Sequence, residues 1–210
     1  MTTTSWVLLG LTFAFALTDW WATWVGRVSV RYVAKPATLV FLIGVAVTLD
    51  PVDSKIRTAM VIGLLLSLAG DVFLMLDEKW FVAGLVSFLL GHIAYIVGLQ
   101  LAPTSLGWSL VGLAVVVACV AVVGRSVVQT VRKTQPEMVG PVIAYLVVIS
   151  AMVVSAFGTA DPWAIAGASL FYASDATLAW NRFVDQRRFG PLAVMVTYHL
   201  GQIGLVAWLV

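Results

Sequence analysis

Charge is what this sequence has least of. Only 10% of its 210 residues are Asp, Glu, Lys or Arg, where a soluble domain carries about 25%, so a conventional water-facing surface is excluded. The net charge is +2 and the basic residues stand scattered in short stretches, which excludes the basic patch that nucleic acid binding needs. A single cysteine, Cys119, excludes an internal disulfide, and in its apolar run it reads as a small packing residue. The two histidines form no His-x-x-x-His or His-x-x-Glu/Asp pair, so the compact ligand sets of zinc hydrolases are missing and no metal site is expected. No Gly-x-Ser-x-Gly elbow occurs, and no Ser, His and Asp stand in an order that argues for a triad. Linkers and low-complexity segments are absent too, which makes residues 1–210 one domain.

What is abundant is apolar length. Hydrophobic residues make up 61% of the chain and the mean hydropathy is +1.03, enough for many spans of about 20 residues. Apolar runs between short polar connectors predict eight helices, at 5–24, 35–49, 57–76, 80–101, 106–124, 137–157, 162–181 and 190–210. The fold class is all-α, a polytopic bundle of eight transmembrane helices. Pro36 and Pro191 are expected in first turns, where a missing N–H is harmless. The second run is short for a full crossing, so that helix is expected to begin earlier, tilt, or thin the bilayer. Ala14-Phe-Ala16 resembles a cleavage site, but the apolar run continues past it and no basic residue precedes it, so an uncleaved first helix is expected.

The basic residues orient the bundle. Connectors one, three, five and seven hold Arg27, Arg31, Lys35, Lys79, Arg125, Arg132, Lys133, Arg182, Arg187 and Arg188, against Lys55 and Arg57 in the others. This positive-inside bias puts both termini outside an inner or plasma membrane. Trp20, Trp21, Trp24, Trp80, Trp108, Trp163 and Trp208 near helix ends read as interfacial anchors.

Against that background three acids stand out, because Asp19, Asp71 and Asp175 lie inside helices. A carboxylate at the centre of a span costs about 2.5–3.5 kcal/mol on insertion scales, so it is turned inward and marks a functional site by default. Asp71 lies about 9 Å along its helix from Asp77, and Asp175 about 10 Å from Arg182. Both helices run toward the cytoplasm, so the two carboxylates are expected at one level of the cytoplasmic half, with Asp19 a third candidate there. An ion pair of Asp175 with Arg182 is the plain alternative, which a spacing of two turns makes awkward. His92 lies about 20 Å along its helix from Lys79, deeper than the acids, and reads either as a packing hydrogen-bond partner or as part of the pocket. Gly84, Gly91 and Gly98 recur every seven residues and give that helix a smooth packing face. Lys35 either snorkels to the interface or meets a lipid phosphate. A weak repeat relates Pro36, Asp71 and His92 to Pro136, Asp175 and His199, which would make a 4+4 parallel pseudo-repeat.

These residues carry a resemblance. Lys35-Pro36, Gly70-Asp71, Phe81-x-x-Gly84 with Gly91-His92-x-x-Tyr95, Tyr145, Phe171-x-x-Ser174-Asp175 and Tyr198-x-x-x-Gln202 occur in order from the second helix to the end of the chain. In this the sequence resembles the YhhN-type membrane family, the lysoplasmalogenases. The resemblance implies an eight-helix membrane hydrolase that cleaves the vinyl-ether bond of a lysophospholipid, releasing a fatty aldehyde and glycerophosphoethanolamine or glycerophosphocholine. It implies that Asp71 and Asp175 are catalytic. Lys35, His92, Tyr95, Ser174, Asn181, Tyr198 and Gln202 are the candidate substrate-binding residues around them.

The chemistry asks for such a pair. Hydrolysis of a vinyl ether begins with protonation of its β-carbon, leaving an oxocarbenium ion that water captures before the hemiacetal collapses. One neutral carboxylic acid and one carboxylate meet both needs, and two acids sharing a low-dielectric pocket do not easily both ionise. No cofactor is required. The alternative is a small transporter or lipid-binding protein that uses the same acids as a proton or substrate site. A cavity closed toward the outside and open to the cytoplasm or to lipid favours the enzyme, and a path to both faces favours transport.

Overall fold

A computed structural model describes residues 2–49 and 53–210. The helices are α1 (Thr3–Val25), α2 (Val28–Thr48), α3 (Ser54–Met75), α4 (Phe81–Leu101), α5 (Leu106–Cys119), α6 (Arg125–Thr134), α7 (Val139–Gly158), α8 (Pro162–Phe183) and α9 (Gly190–Ala207). A π turn (Val120–Gly124) joins α5 to α6 in one rod, and 3₁₀ turns (Glu78–Trp80, Pro136–Met138) lead into α4 and α7. Among the described residues there is no strand. The starts follow local chemistry: Asp53 and Asp161 accept backbone N–H groups at the heads of α3 and α8, the usual work of an N-cap aspartate.

Two expected boundaries move. The second helix begins at Val28 instead of 35, so Pro36 lies inside it. Its ring removes the bond to the Tyr32 carbonyl one turn back. Arg31 and Lys35 therefore leave the connector and join the inward face of α2. The fifth helix continues through the π turn to Thr134, placing Arg125, Arg132 and Lys133 on helix α6. The last two suit the negative end of its dipole.

Seven segments are long and apolar enough to cross a membrane: α1, α2, α3, Glu78–Leu101, Leu106–Thr134, Pro136–Gly158 and α9. The protein is an integral membrane protein. Helix α8 falls outside that set because Ser169, Ser174, Asp175, Asn181 and Arg182 replace apolar residues along its inner side. Outward stripes are apolar, as at Val33, Val40 and Val47 of α2, all at least half exposed. Inside lie Leu39, Met60, Leu64, Tyr95, Met152, Phe171 and Leu205, all fully buried.

The closest pairings are α1 with α2, α3 with α4, and α8 with α9, while α5 packs on α7 and α4 on α7. Small residues set those distances. A Cβ at Gly91 would lie 3.2 Å from the Gly63 carbonyl oxygen, and one at Gly167 only 2.6 Å from the Leu205 amide nitrogen. Without lipid-excluding hydrophobic force between helices, such close approach carries the association. The two halves pair in the same order, with α3·α4 answered by α8·α9. The proline part of the repeat does not hold: Pro136 opens a 3₁₀ turn whereas Pro36 sits mid-helix.

Candidate active site

Asp71 (α3) and Asp175 (α8) line one cavity of about 870 Å³. Each carboxylate has its own small shell. Lys35 Nζ stands 2.9 Å from Asp71 Oδ1, and the Tyr198 hydroxyl donates to Oδ2 at 2.8 Å. Asp71 is fully buried. Asp175 accepts from the Tyr145 hydroxyl through Oδ2, and the His92 Nε2 lies 3.8 Å from the same oxygen. Among the described residues, no lysine or arginine pairs with Asp175. Arg182 pairs instead with Glu78, so the two-turn ion pair with Asp175 is not made.

An aromatic wedge separates and braces the two shells. The Phe171 ring lies 4.7 Å from that of His92 and 5.2 Å from that of Tyr198, and Phe88 stands edge-on to both Phe171 and Tyr198. One side chain thus touches a partner of each carboxylate. Gly70 makes room for Phe88, since a Cβ there would lie 2.6 Å from the ring.

His92 is less deep, in effect, than its position along α4 implies. Side chains lean toward the N-terminus of their own helix. Helix α4 leaves the level at which α8 ends, so the His92 imidazole leans toward the acids while the Asp175 carboxyl leans toward His92. Counting residues along two oppositely directed helices missed that convergence.

Of the expected binding residues, Lys35, Ser174, Asn181 and Tyr198 line the cavity, whereas His92, Tyr95 and Gln202 stand behind it. The Tyr95 hydroxyl donates to Gln202 Oε1 at 2.6 Å in a fully buried cross-link of α4 and α9. Ser174 donates to the Val194 carbonyl, and Asn181 accepts from the Arg187 amide. Both are thereby engaged in holding α8 to α9 and the turn between them. Lys35 does not snorkel, because its ammonium is held at Asp71. Asp19 does not join the pair: it is buried against Arg31, with Nε at 3.6 Å. His199 accepts at Nδ1 from Trp20 Nε1 at 3.0 Å, so Trp20 is an interior partner and not an anchor.

Tyr145 stood among the residues that carry the resemblance but not among the candidate site residues, because a lone tyrosine in an apolar run carries no charge signal. Arg31 was missed because it read as a connector cation. Its four-residue spacing from Lys35, once α2 is extended, is the signal that places both on one face. Among the described residues, no group of three His, Cys, Asp or Glu side chains is arranged to hold a metal.

The sequence profile of the YhhN family matches residues 30–209. The chain belongs to the YhhN family. A lysoplasmalogenase of Mycobacterium tuberculosis is 35% identical over 183 residues, which is 83% of this chain and 68% of that protein. A human lysoplasmalogenase is 30% identical over 142 residues, 67% of this chain and 58% of its own length. One from Sus scrofa is 32% identical over 142 residues, again 67% and 58%. This YhhN chain therefore spans under two thirds of its mammalian relatives. No solved structure matches it.

Proposed function

We propose that this protein is a membrane-embedded hydrolase that cleaves the vinyl-ether bond of lysoplasmalogens to a fatty aldehyde and a glycerophospho alcohol. The observation that carries the reading is that two intramembrane aspartates from different helices line one mainly apolar cavity in a YhhN chain. The relatives named above are lysoplasmalogenases, which favours the hydrolase over a transporter built on the same acids. The alkenyl tail fits the apolar wall formed by Val115, Val116 and Val123 of the α5–α6 rod with Ile149 and Val153 of α7.

The shells support different roles for the two acids. The step needs a neutral acid at the β-carbon and negative charge beside the oxocarbenium ion. Asp71, ion-paired with Lys35, supplies the fixed charge. Asp175 has a phenol and an imidazole for partners. It delivers the proton, which becomes a C–H bond as the vinyl double bond opens. Water then adds to the oxocarbenium carbon and returns a proton to the acid pair. The hemiacetal C–O bond breaks to leave aldehyde and alcohol.

Orientation follows the connector charges: both termini outside, and the acid pair in the cytoplasmic half. The test is mass-spectrometric detection of aldehyde released from lysoplasmenyl-ethanolamine by purified protein, with the 1-acyl analogue as control. Absence of aldehyde from correctly folded protein overturns the reading.

A further inference from the structure

The hydrolase reading leaves the substrate's phosphate without a partner. Lys35 is committed to Asp71 and its side chain is only 6% exposed. One turn back along the same face of α2, about 6 Å nearer the connector, stands Arg31. Its Nε is buried toward Asp19 Oδ1 at 3.6 Å, Asp19 is fully buried, and 31% of the Arg31 side chain remains exposed where it lines the cavity. Among the described residues Asp19 is the one carboxylate within ion-pair distance of this guanidinium, and no hydrogen bond engages Nε. Arg182, which also lines the cavity, has both terminal nitrogens on Glu78.

We propose that Arg31 binds the phosphodiester of the lipid head group, with Asp19 as the positioning residue that fixes its guanidinium. The inference rests on the lysophospholipid reading. The distances suit it: three glycerol carbons separate the ether oxygen from the phosphate oxygen. With the vinyl ether at Asp71, beside Lys35, the phosphate falls about one helical turn toward the connector before α2, at the level of Arg31. The chemistry suits it too, because a planar guanidinium that meets a carboxylate at its Nε edge, here across 3.6 Å, keeps its terminal N–H donors for a second anion, in the forked geometry a phosphate accepts. Among the described residues Arg31 is the one cation within 4 Å of the buried Asp19, which gives a reason for an arginine at the edge of the span.

The test uses the full chain in detergent and two uncleavable ligands of equal tail length: 1-alkyl-glycerophosphoethanolamine and 1-alkylglycerol. Binding is read by tryptophan fluorescence. Wild type should hold the phospholipid about 10–100-fold more tightly than the alkylglycerol, the range of one or two charge-assisted hydrogen bonds. Arg31→Gln should erase that preference while leaving alkylglycerol affinity unchanged, which also certifies its fold. Arg31→Lys should keep part of it. Equal weakening of both ligands in Arg31→Gln, or an intact preference, overturns the proposal. So does inorganic phosphate competing as well as the lipid, which would mark a free-anion site. An Arg31-dependent preference without aldehyde release from the vinyl-ether analogue keeps the phosphate site and removes the hydrolase. Aldehyde release without any such preference does the reverse.

Discussion

The Lys35 ammonium and the Asp71 carboxylate meet at 2.9 Å between α2 and α3, with neither side chain more than 6% exposed. Such a pair is costly to bring out of water and costly to break, since removal of one partner leaves a lone buried charge worth about 3–5 kcal/mol of destabilisation. Lys35→Met should therefore lower the thermal midpoint in detergent sharply. The double variant Lys35→Met, Asp71→Asn should recover much of that loss. Additive losses in the double-mutant comparison would mean that the pair carries little coupling.

Asp71→Asn and Asp175→Asn should each reduce aldehyde release per folded molecule by at least about 10²-fold, the lower edge of general acid–base contributions. Asp175→Asn should keep its folded protein, whereas Asp71→Asn should also lose stability because Lys35 is left without its partner. Tyr145→Phe removes one hydrogen bond to Asp175 and leaves the carboxyl group, so its loss should be nearer tenfold. His92→Asn should also be milder than either aspartate change. An inactive His92→Asn beside an active Asp175→Asn would move the chemistry to the imidazole.

Much of this arrangement was legible in the chain. Asp71 and Asp175 announced themselves because an acid inside an apolar run has few physical excuses, and they do line one cavity. The rods were legible from hydropathy, within a few residues at most ends. The start of α2 was not, because Ser29, Arg31 and Lys35 look like a solvated connector until the inward partners Asp19 and Asp71 are known. The roles of Tyr145 and Trp20 were opaque for the opposite reason, although Tyr145 was noticed in the resemblance: their apolar bodies suit lipid as well as protein, and only the tertiary position of Asp175 and His199 gives their polar ends a partner.

The crossing of α8 and α9 offers a test of packing independent of chemistry. A Cβ at Gly167 would lie 2.6 Å from the Leu205 nitrogen and 2.9 Å from the Gly204 carbonyl carbon, backbone atoms that a rotamer change does not move. Gly167→Ala should lower the thermal midpoint even though alanine is the better helix former. Gly140→Ala, where nothing stands within 4 Å, should be neutral or slightly stabilising. Equal midpoints for the two variants would refute the close crossing.

Topology decides which side of the membrane the cavity mouth serves. Arg182 ends α8, Arg187 and Arg188 lie in the connector between α8 and α9, and Lys79 precedes α4. Lys55 and Arg57 stand at the opposite ends of the rods. Short loops rich in lysine and arginine stay in the cytoplasm, so the ends bearing Arg31, Glu78 and Arg182 should face it. Cysteine labelling reads this directly: in a Cys119→Ala background, single cysteines at Gln186 and at Thr104 should be reached from opposite sides by a membrane-impermeant maleimide. Gln186→Cys should react only after permeabilisation, and Thr104→Cys in intact cells. The reverse pattern would place the head-group end outside. The lysophospholipid would then be drawn from the outer leaflet, and the aldehyde and glycerophospho alcohol would be released on that side.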